Sequence, residues 1–203
     1  MTGRDNEAYW IARHEEHRHR LAAVGDIARS EEENVALYAR KKRRIADVLR
    51  ELGGLDLQGK AVLDAGCGIG EIAELLHVLG AEVSGLDASP VALEEARRRV
   101  PEGDFREGSL VEFDFGREFD VVFAIDVLYH VVDDANWRTA VRRLLRHVGR
   151  GGLLIVLDQH KAEPEEPASH VRFRTQAMYD EVVADAGGRP RMPAGGVFLV
   201  YRR

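Results

Sequence analysis

Asp64-Ala65-Gly66-Cys67-Gly68-Ile69-Gly70 sets three glycines at alternate positions behind the short apolar run at 61–63. Glycine lets the backbone turn tightly and brings a ligand close to the main chain. A helix is expected to start at the end of this loop and to aim its unpaired N–H groups at whatever binds there. Alone, such a spacing is weak evidence. Asp87 sharpens it, because it closes a second apolar run, where a carboxylate accepts from both hydroxyls of a ribose. Asp64 speaks to the type of ligand. A carboxylate beside the loop repels a pyrophosphate and disfavours a dinucleotide, and it suits a ligand bearing an ammonium and a sulfonium. Asp126, Tyr129 and His130 follow another apolar run, and Asp158, Gln159 and His160 follow a further one.

The elements that must position these residues alternate along the chain. Residues 5–20 read as a polar helix carrying Tyr9 and Trp10. Ser30 and Glu33 form a capping box that opens a second helix. Val35, Tyr38, Ile45, Val48, Leu49 and Leu52 lie on one face of it, and Gly53 and Gly54 stop it. From Lys60 onward strands are expected at 61–65, 81–87, within 103–109, at 118–126, 152–158 and 196–203. Helices are expected from the glycine loop to about Leu79, from Ser89-Pro90 to about Val100, at 135–147 and at 175–186, with a surface loop at 163–167. This rhythm predicts an α/β fold with a doubly wound, mostly parallel sheet. It reads as one structural domain, with residues 1–58 as a helical N-terminal cap and 59–203 as the ligand-binding core.

Composition excludes several classes. The 203 residues suffice for one substantial core. Cys67 is the single cysteine, so no intramolecular disulfide and no multi-cysteine metal site can form. A net charge of −6 lacks the basic footprint of a nucleic-acid partner. The apolar runs are strand-sized, so no membrane span is expected, and the lack of a charged-then-apolar leader predicts a cytoplasmic protein. Arg far outnumbers Lys, the mark of a GC-rich coding sequence, and points to a bacterial source.

The segments Val62 to Gly70, Val83 to Ser89, Phe119 to His130 and Leu144 to Asp158, in that order and spacing, resemble the motifs of class I S-adenosylmethionine-dependent methyltransferases. The resemblance is strong over about 60–158. It implies a seven-stranded Rossmann-like methyltransferase fold with S-adenosyl-L-methionine as cofactor. It further implies that Asp64, Ala65, Gly66, Cys67 and Gly68 line the methionine end of the cofactor. Asp87 would hold the ribose, with Ala88, Ser109 and Leu110 around the adenine. Asp126 and Val127 would face the methionine portion. Tyr9 and Trp10 would close over the site as a lid. Ser109 departs from the family, which often carries an acidic residue there. The motif [Asp/Asn/Ser]-Pro-Pro-[Tyr/Phe] of enzymes that methylate amide or nucleobase nitrogens is replaced by Asp126-Val127-Leu128-Tyr129.

Methyl transfer is an in-line displacement, so most of its acceleration comes from alignment and exclusion of water. A base is needed only for a protonated nucleophile. His130, four residues beyond Asp126, is the candidate base, with activity expected to rise as an imidazole loses its proton near pH 6.5. Tyr129, His160, Arg172 and Arg174 are candidate substrate contacts, the two arginines for a carboxylate or phosphate. Asp126 with Asp158-Gln159 is only a faint magnesium pattern, because such sites use Asn where Gln159 stands, and no metal is expected. His14, His17 and His19 read as a solvated helix face, and the basic run at 40–44 as a helix surface or at most a lid face. The expected function is methylation of a small molecule, at oxygen, in bacterial secondary-metabolite or sugar biosynthesis. The alternatives are an enzyme of this fold without methyl transfer, such as a cyclase or decarboxylase, and a non-catalytic cofactor-binding regulator. The sequence leaves the oligomeric state open. If Asp87 holds the ribose, Asp87→Ala should cost roughly 1.5–3 kcal/mol of cofactor binding, read by calorimetry on a folded variant; unchanged affinity would misplace the second strand.

Overall fold

The computed structural model describes residues 3–18, 20–191 and 198–203. Among these residues nine strands and six helices are formed; the strands are β1 (Ala61–Ala65), β2 (Glu82–Asp87), β3 (Asp104–Glu107), β4 (Phe119–Ile125), β5 (Val148–Leu157), β6 (Glu165–Ala168), β7 (Val171–Phe173), β8 (Arg189–Pro190) and β9 (Phe198–Arg202). The helices are α1 (Gly3–Glu16), α2 (Glu31–Glu51), α3 (Glu71–Val78), α4 (Pro90–Arg99), α5 (Asp134–His147) and α6 (Gln176–Asp185). Seven strands form one sheet in the order β3-β2-β1-β4-β5-β9-β8. β1 to β5 run parallel, and β9 pairs antiparallel with β5.

The central strands are near-continuous apolar runs because both faces of the sheet are covered. Val62, Val121, Phe123 and Ile155 pack on one side with residues of α2, α3 and α4. Leu63, Val122, Ala124 and Leu154 pack on the other with α5 and α6. The chain winds outward from β1 in both directions, so the strand order reverses between β1 and β4. A crevice opens there at the carboxyl ends of the strands, the place where open α/β sheets bind ligands.

The helix starts follow local chemistry. The Ser30 and Glu33 box is formed reciprocally. Ser89, Asp133 and Thr175 cap α4, α5 and α6 through their side-chain oxygens. Several boundaries differ from expectation. The helix expected at 5–20 ends at Glu16, and His19 lies outside the described residues. The loop expected at 163–167 contributes to β6, which pairs with β7 as a separate hairpin. β5 begins at Val148, because the Val148 backbone pairs with Phe119 ahead of an irregularity in the register. Of the closing strand expected at 196–203, Gly196 and Val197 lie outside the described residues and 198–202 form β9. Among the described residues no helix is long and apolar enough to cross a membrane.

One buried amide ties the start of α2 to the loop that precedes it. Asn34 accepts from the Asp26 N–H at 2.9 Å and donates to the carbonyls of Asp26 at 3.0 Å and Ser30 at 3.2 Å. Tyr38 donates to the Val24 carbonyl at 3.1 Å, so both α2 residues hold the loop that leads down from α1. Asn34→Leu keeps the volume and strips these partners inside the fold. It should lower stability by about 2 kcal/mol, a fall of about 5 °C in melting temperature for a chain of this size. An unchanged melting curve would show that water replaces the amide.

Candidate active site

A cavity of about 1200 Å³ occupies the crevice, with α1 and α2 over it. At one end it is shaped by the glycine loop. Gly66 has a φ of +80°, and a Cβ there would lie 2.3 Å from Val127 Cγ2. Gly68 has a φ of +52°, and its Cβ would lie 2.6 Å from Val24 Cγ1. Both positions therefore demand glycine for the backbone angle and for the close approach. Asp87 braces the loop: one carboxylate oxygen accepts the Gly68 N–H at 2.8 Å and the other the Ser89 N–H at 2.9 Å.

Asp64 is 1% exposed, and its Oδ2 has no partner. Burial, reinforced by the Asp87 charge, raises its carboxyl to about 7, against a pull in the other direction from the Ala73 N–H. Such a group gains when a cation arrives beside it. Cys67 also faces the cavity, where burial raises its thiol well above the usual range and keeps it unreactive. Ala88, Ser109, Leu110 and Val127 line the cavity as expected. Ala65 does not: it is fully buried within β1, behind the loop.

The other end of the cavity is aromatic and polar. Asp126 takes a left-handed φ of +51°, held by its N–H donating to the Leu157 carbonyl at 2.8 Å. Its carboxylate pairs with Lys41 Nζ at 2.8 Å, and that ammonium also lies 4.4 Å from the Tyr38 ring centre. His130 sits in a short 3-10 turn at Leu128–His130. Its Nδ1 lies 3.0 Å from the His170 carbonyl. A carbonyl only accepts, so Nδ1 carries the hydrogen and Nε2 is the ring's acceptor. Burial pushes the imidazole down to about 3, away from the 6.5 expected of an unburied ring. Trp10 meets the His130 ring at 4.4 Å, Tyr129 meets it at 4.2 Å, and Tyr9 stacks on His170 at 4.5 Å. Asn6 donates to the His130 carbonyl, which fastens α1 to this end. Asp158 and His160 line the cavity too. Burial raises the Asp158 carboxyl to about 7, although the Tyr179 hydroxyl donates to it.

Two expected substrate contacts are corrected. Arg174 is 1% exposed and donates to Asp134 and to the carbonyls of Val131 and Val132, so it staples the loop after His130 to the start of α6. Arg172 pairs with Asp134 and Glu166 outside the cavity. His14, expected on a solvated face, is 4% exposed, and Lys41, expected on a helix surface or lid face, is largely covered and lines the cavity. The signal was present in spacing. Asn6, Tyr9, Trp10, Arg13 and His14 stand at i, i+3, i+4, i+7 and i+8, one helix face. Lys41 likewise falls on the stripe of Tyr38, Ile45 and Val48. Polar residue types hid both stripes. Among the described residues no group of three or more His, Cys, Asp or Glu side chains is placed to hold a metal ion.

The raised Asp158 carboxyl has a thermodynamic sign. Between the ordinary carboxylate value and about 7 the folded protein keeps a proton that the unfolded chain has released. Its contribution is therefore full at low pH and is lost as pH rises through 7. The buried imidazoles of His14 and His130, pushed down instead, act in the opposite sense. Asp158→Asn keeps an acceptor for Tyr179 and removes only the carboxyl's share. Relative to the parent it should gain stability as pH rises from about 4 to about 7. A mutant-minus-parent melting difference that is flat with pH would show an ordinary carboxylate.

The residues present fit an adenosyl sulfonium: a glycine cradle that a Cβ would fill, a braced acceptor at Asp87 and an orphaned buried oxygen on Asp64. Residues 62–152 match the family model described as a methyltransferase domain. The ubiquinone biosynthesis O-methyltransferase of Aromatoleum aromaticum is 39% identical over 100 residues, covering 46% of this chain and 43% of that protein. The chain thus spans less than half of that relative's length. An amino pentose methyltransferase from Micromonospora echinaspora, solved with bound S-adenosylmethionine, aligns with a TM-score of 0.67 at 21% identity, covering 82% of this chain and 91% of that one. The magnesium protoporphyrin IX methyltransferase of Synechocystis, with S-adenosylhomocysteine, aligns with a TM-score of 0.66 at 21% identity, covering 84% of each. Residues 62–152 thus match a methyltransferase domain, and the glycine loop and Asp87 brace that they carry fit S-adenosylmethionine as its cofactor.

Proposed function

We propose that this protein methylates a hydroxyl of a small molecule, with S-adenosylmethionine as donor, in a bacterial biosynthetic pathway. One observation carries the reading. The cavity does not stop at the cofactor loop; it continues past Asp126 into a chamber lined by Tyr38, Tyr129, His130, His160 and His170. That leaves room for an acceptor beside the sulfonium carbon, under a roof of α1 and α2 that keeps water out. When bound, the cofactor supplies an electrophilic methyl group. Asp64 and Asp126 face its cationic methionine portion, and Asp87 holds its ribose.

Oxygen is favoured as the nucleophile by the state of the chamber's bases. The unprotonated Nε2 of His130 accepts a hydrogen bond from a hydroxyl and orients it. A base with a conjugate acid near 3 is weak toward a resting alcohol. It suffices as the C–O bond forms, because the positive charge developing on the oxygen makes its hydrogen far more acidic than an imidazolium's, and the proton passes to Nε2 in that transition state. The ubiquinone biosynthesis O-methyltransferase matched over part of this chain supports oxygen as the accepting atom.

S-adenosylhomocysteine should raise the melting temperature and NAD should not, as expected of a ligand selective for the folded state. Turnover should then be sought across small phenols, sugars and hydroxy acids by release of S-adenosylhomocysteine. On the acceptor found, His130 should contribute no imidazole titration near 6.5 to kcat, and any step near 7 should trace to the raised Asp64 or Asp158 carboxyl. His130→Phe should lower kcat by about 10²–10⁴-fold at nearly constant cofactor affinity. Stabilisation by NAD alone, or a full rate in His130→Phe, overturns the reading.

A further inference from the structure

We propose that His14, on the N-terminal helix, is a cofactor-binding residue that donates a hydrogen bond to the ribose of the adenosyl group. The inference rests on the methyltransferase reading above and adds a residue from outside the matched domain.

His14 is 4% exposed, lines the cavity, and has neither ring nitrogen hydrogen-bonded. A buried imidazole with both nitrogens bare costs free energy unless a partner arrives. Its surroundings place it at the ribose end. It borders a small void shared with Ile69, Val91 and Ala92, between the glycine loop and the start of α4. The Asp87 carboxylate is near enough for its charge to favour the imidazolium, against burial, which disfavours it more, while the Arg13 guanidinium adds to the burial. The ring therefore stays neutral, with one N–H and one lone pair, neither of them engaged.

The ribose diol needs such a donor. Asp87 is an acceptor, and it takes the hydrogens of the diol. Each hydroxyl oxygen then still has lone pairs to satisfy. The loop N–H groups recorded at Asp87, those of Gly68 and Ser89, are already spent on that carboxylate. Arg13, the neighbouring cation, is spent on the carbonyls of Ala22 and Gly25. Trp10 Nε1 also lacks a partner, but its ring lies against His130 at the acceptor end. Among the described residues, His14 is a buried donor without a partner near Asp87.

The rest of α1 is positioned without His14. Asn6 bonds to His130, Arg13 to the loop below it, and Tyr9 stacks on His170. The helix thus presents His14 rather than depending on it.

The test is calorimetric binding of S-adenosylhomocysteine and of its 2′,3′-dideoxyribose analogue to the full chain. His14→Phe fills the space without a donor and should weaken S-adenosylhomocysteine by about 10-fold. It should change the dideoxy analogue by less than twofold. His14→Gln, which keeps a donor, should recover most of the loss. In the parent protein the imidazole ¹⁵N resonances of His14 should move on binding S-adenosylhomocysteine and stay in place with the dideoxy analogue, a readout that needs no variant. Equal losses for both ligands, or an unmoved His14 resonance, overturn the proposal. Failure of the parent protein to bind S-adenosylhomocysteine would instead overturn the methyltransferase reading itself.

Discussion

Asp64, Asp87, Asp126 and Asp158 end four adjacent strands and share one cavity, and keeping four carboxylates together in a poorly solvated space is the constraint on which the rest depends. Like charges at close range in a low dielectric repel strongly unless each is compensated or protonated. Each of the four is handled by a different part of the chain. Asp87 is met by backbone N–H groups of the glycine loop and α4. Asp126 is met by Lys41, which brings in α2. Asp158 is met by Tyr179, which brings in α6. Asp64 is left without a cation and rises to about 7. The cofactor loop, the cap and the C-terminal helix are therefore coupled through charge compensation as well as through the sheet.

The same economy explains the first helix. An inward helix face is normally apolar, because burial of apolar area is what holds a helix on a core. The inward face of α1 carries Asn6, Arg13 and His14 beside Tyr9 and Trp10. A polar face gains little from desolvation, so directed contacts fasten it instead: Asn6 to His130, Arg13 to two carbonyls, and ring contacts to His130 and His170. Each of these contacts ends on a residue of the acceptor chamber or of the loop above the cofactor. The roof and the chamber are built from the same interactions, and a change in one is felt in the other.

His130 illustrates how enclosure changes chemistry. In water its imidazole would be half protonated close to neutrality. Packed among Trp10, Tyr129 and the His170 carbonyl, it is locked as one neutral tautomer. What is lost in basicity is gained in definition, since a single acceptor nitrogen is left on the ring.

The core was legible before any coordinates. Glycine spacing at 66–70 and Asp87 at a strand end are local patterns, and backbone sterics together with strand–helix alternation translate them directly into a loop, a brace and a parallel sheet. The capping box at Ser30 is equally local. The hairpin of β6 and β7 was not legible, because Glu-rich, Pro-containing 163–167 lacks alternation and is held as a strand only by its pairing partner. Arg172 and Arg174 had the right chemistry for an anion, and only their distant partner Asp134 turned them into structural ties. His14 and Lys41 carried polar letters on positions that helical periodicity turns inward. Sequence thus determined where a ligand loop must form and what it can hold. The tertiary structure decided which polar side chains face that ligand, because burial, tautomer and charge depend on neighbours that are far away in the chain.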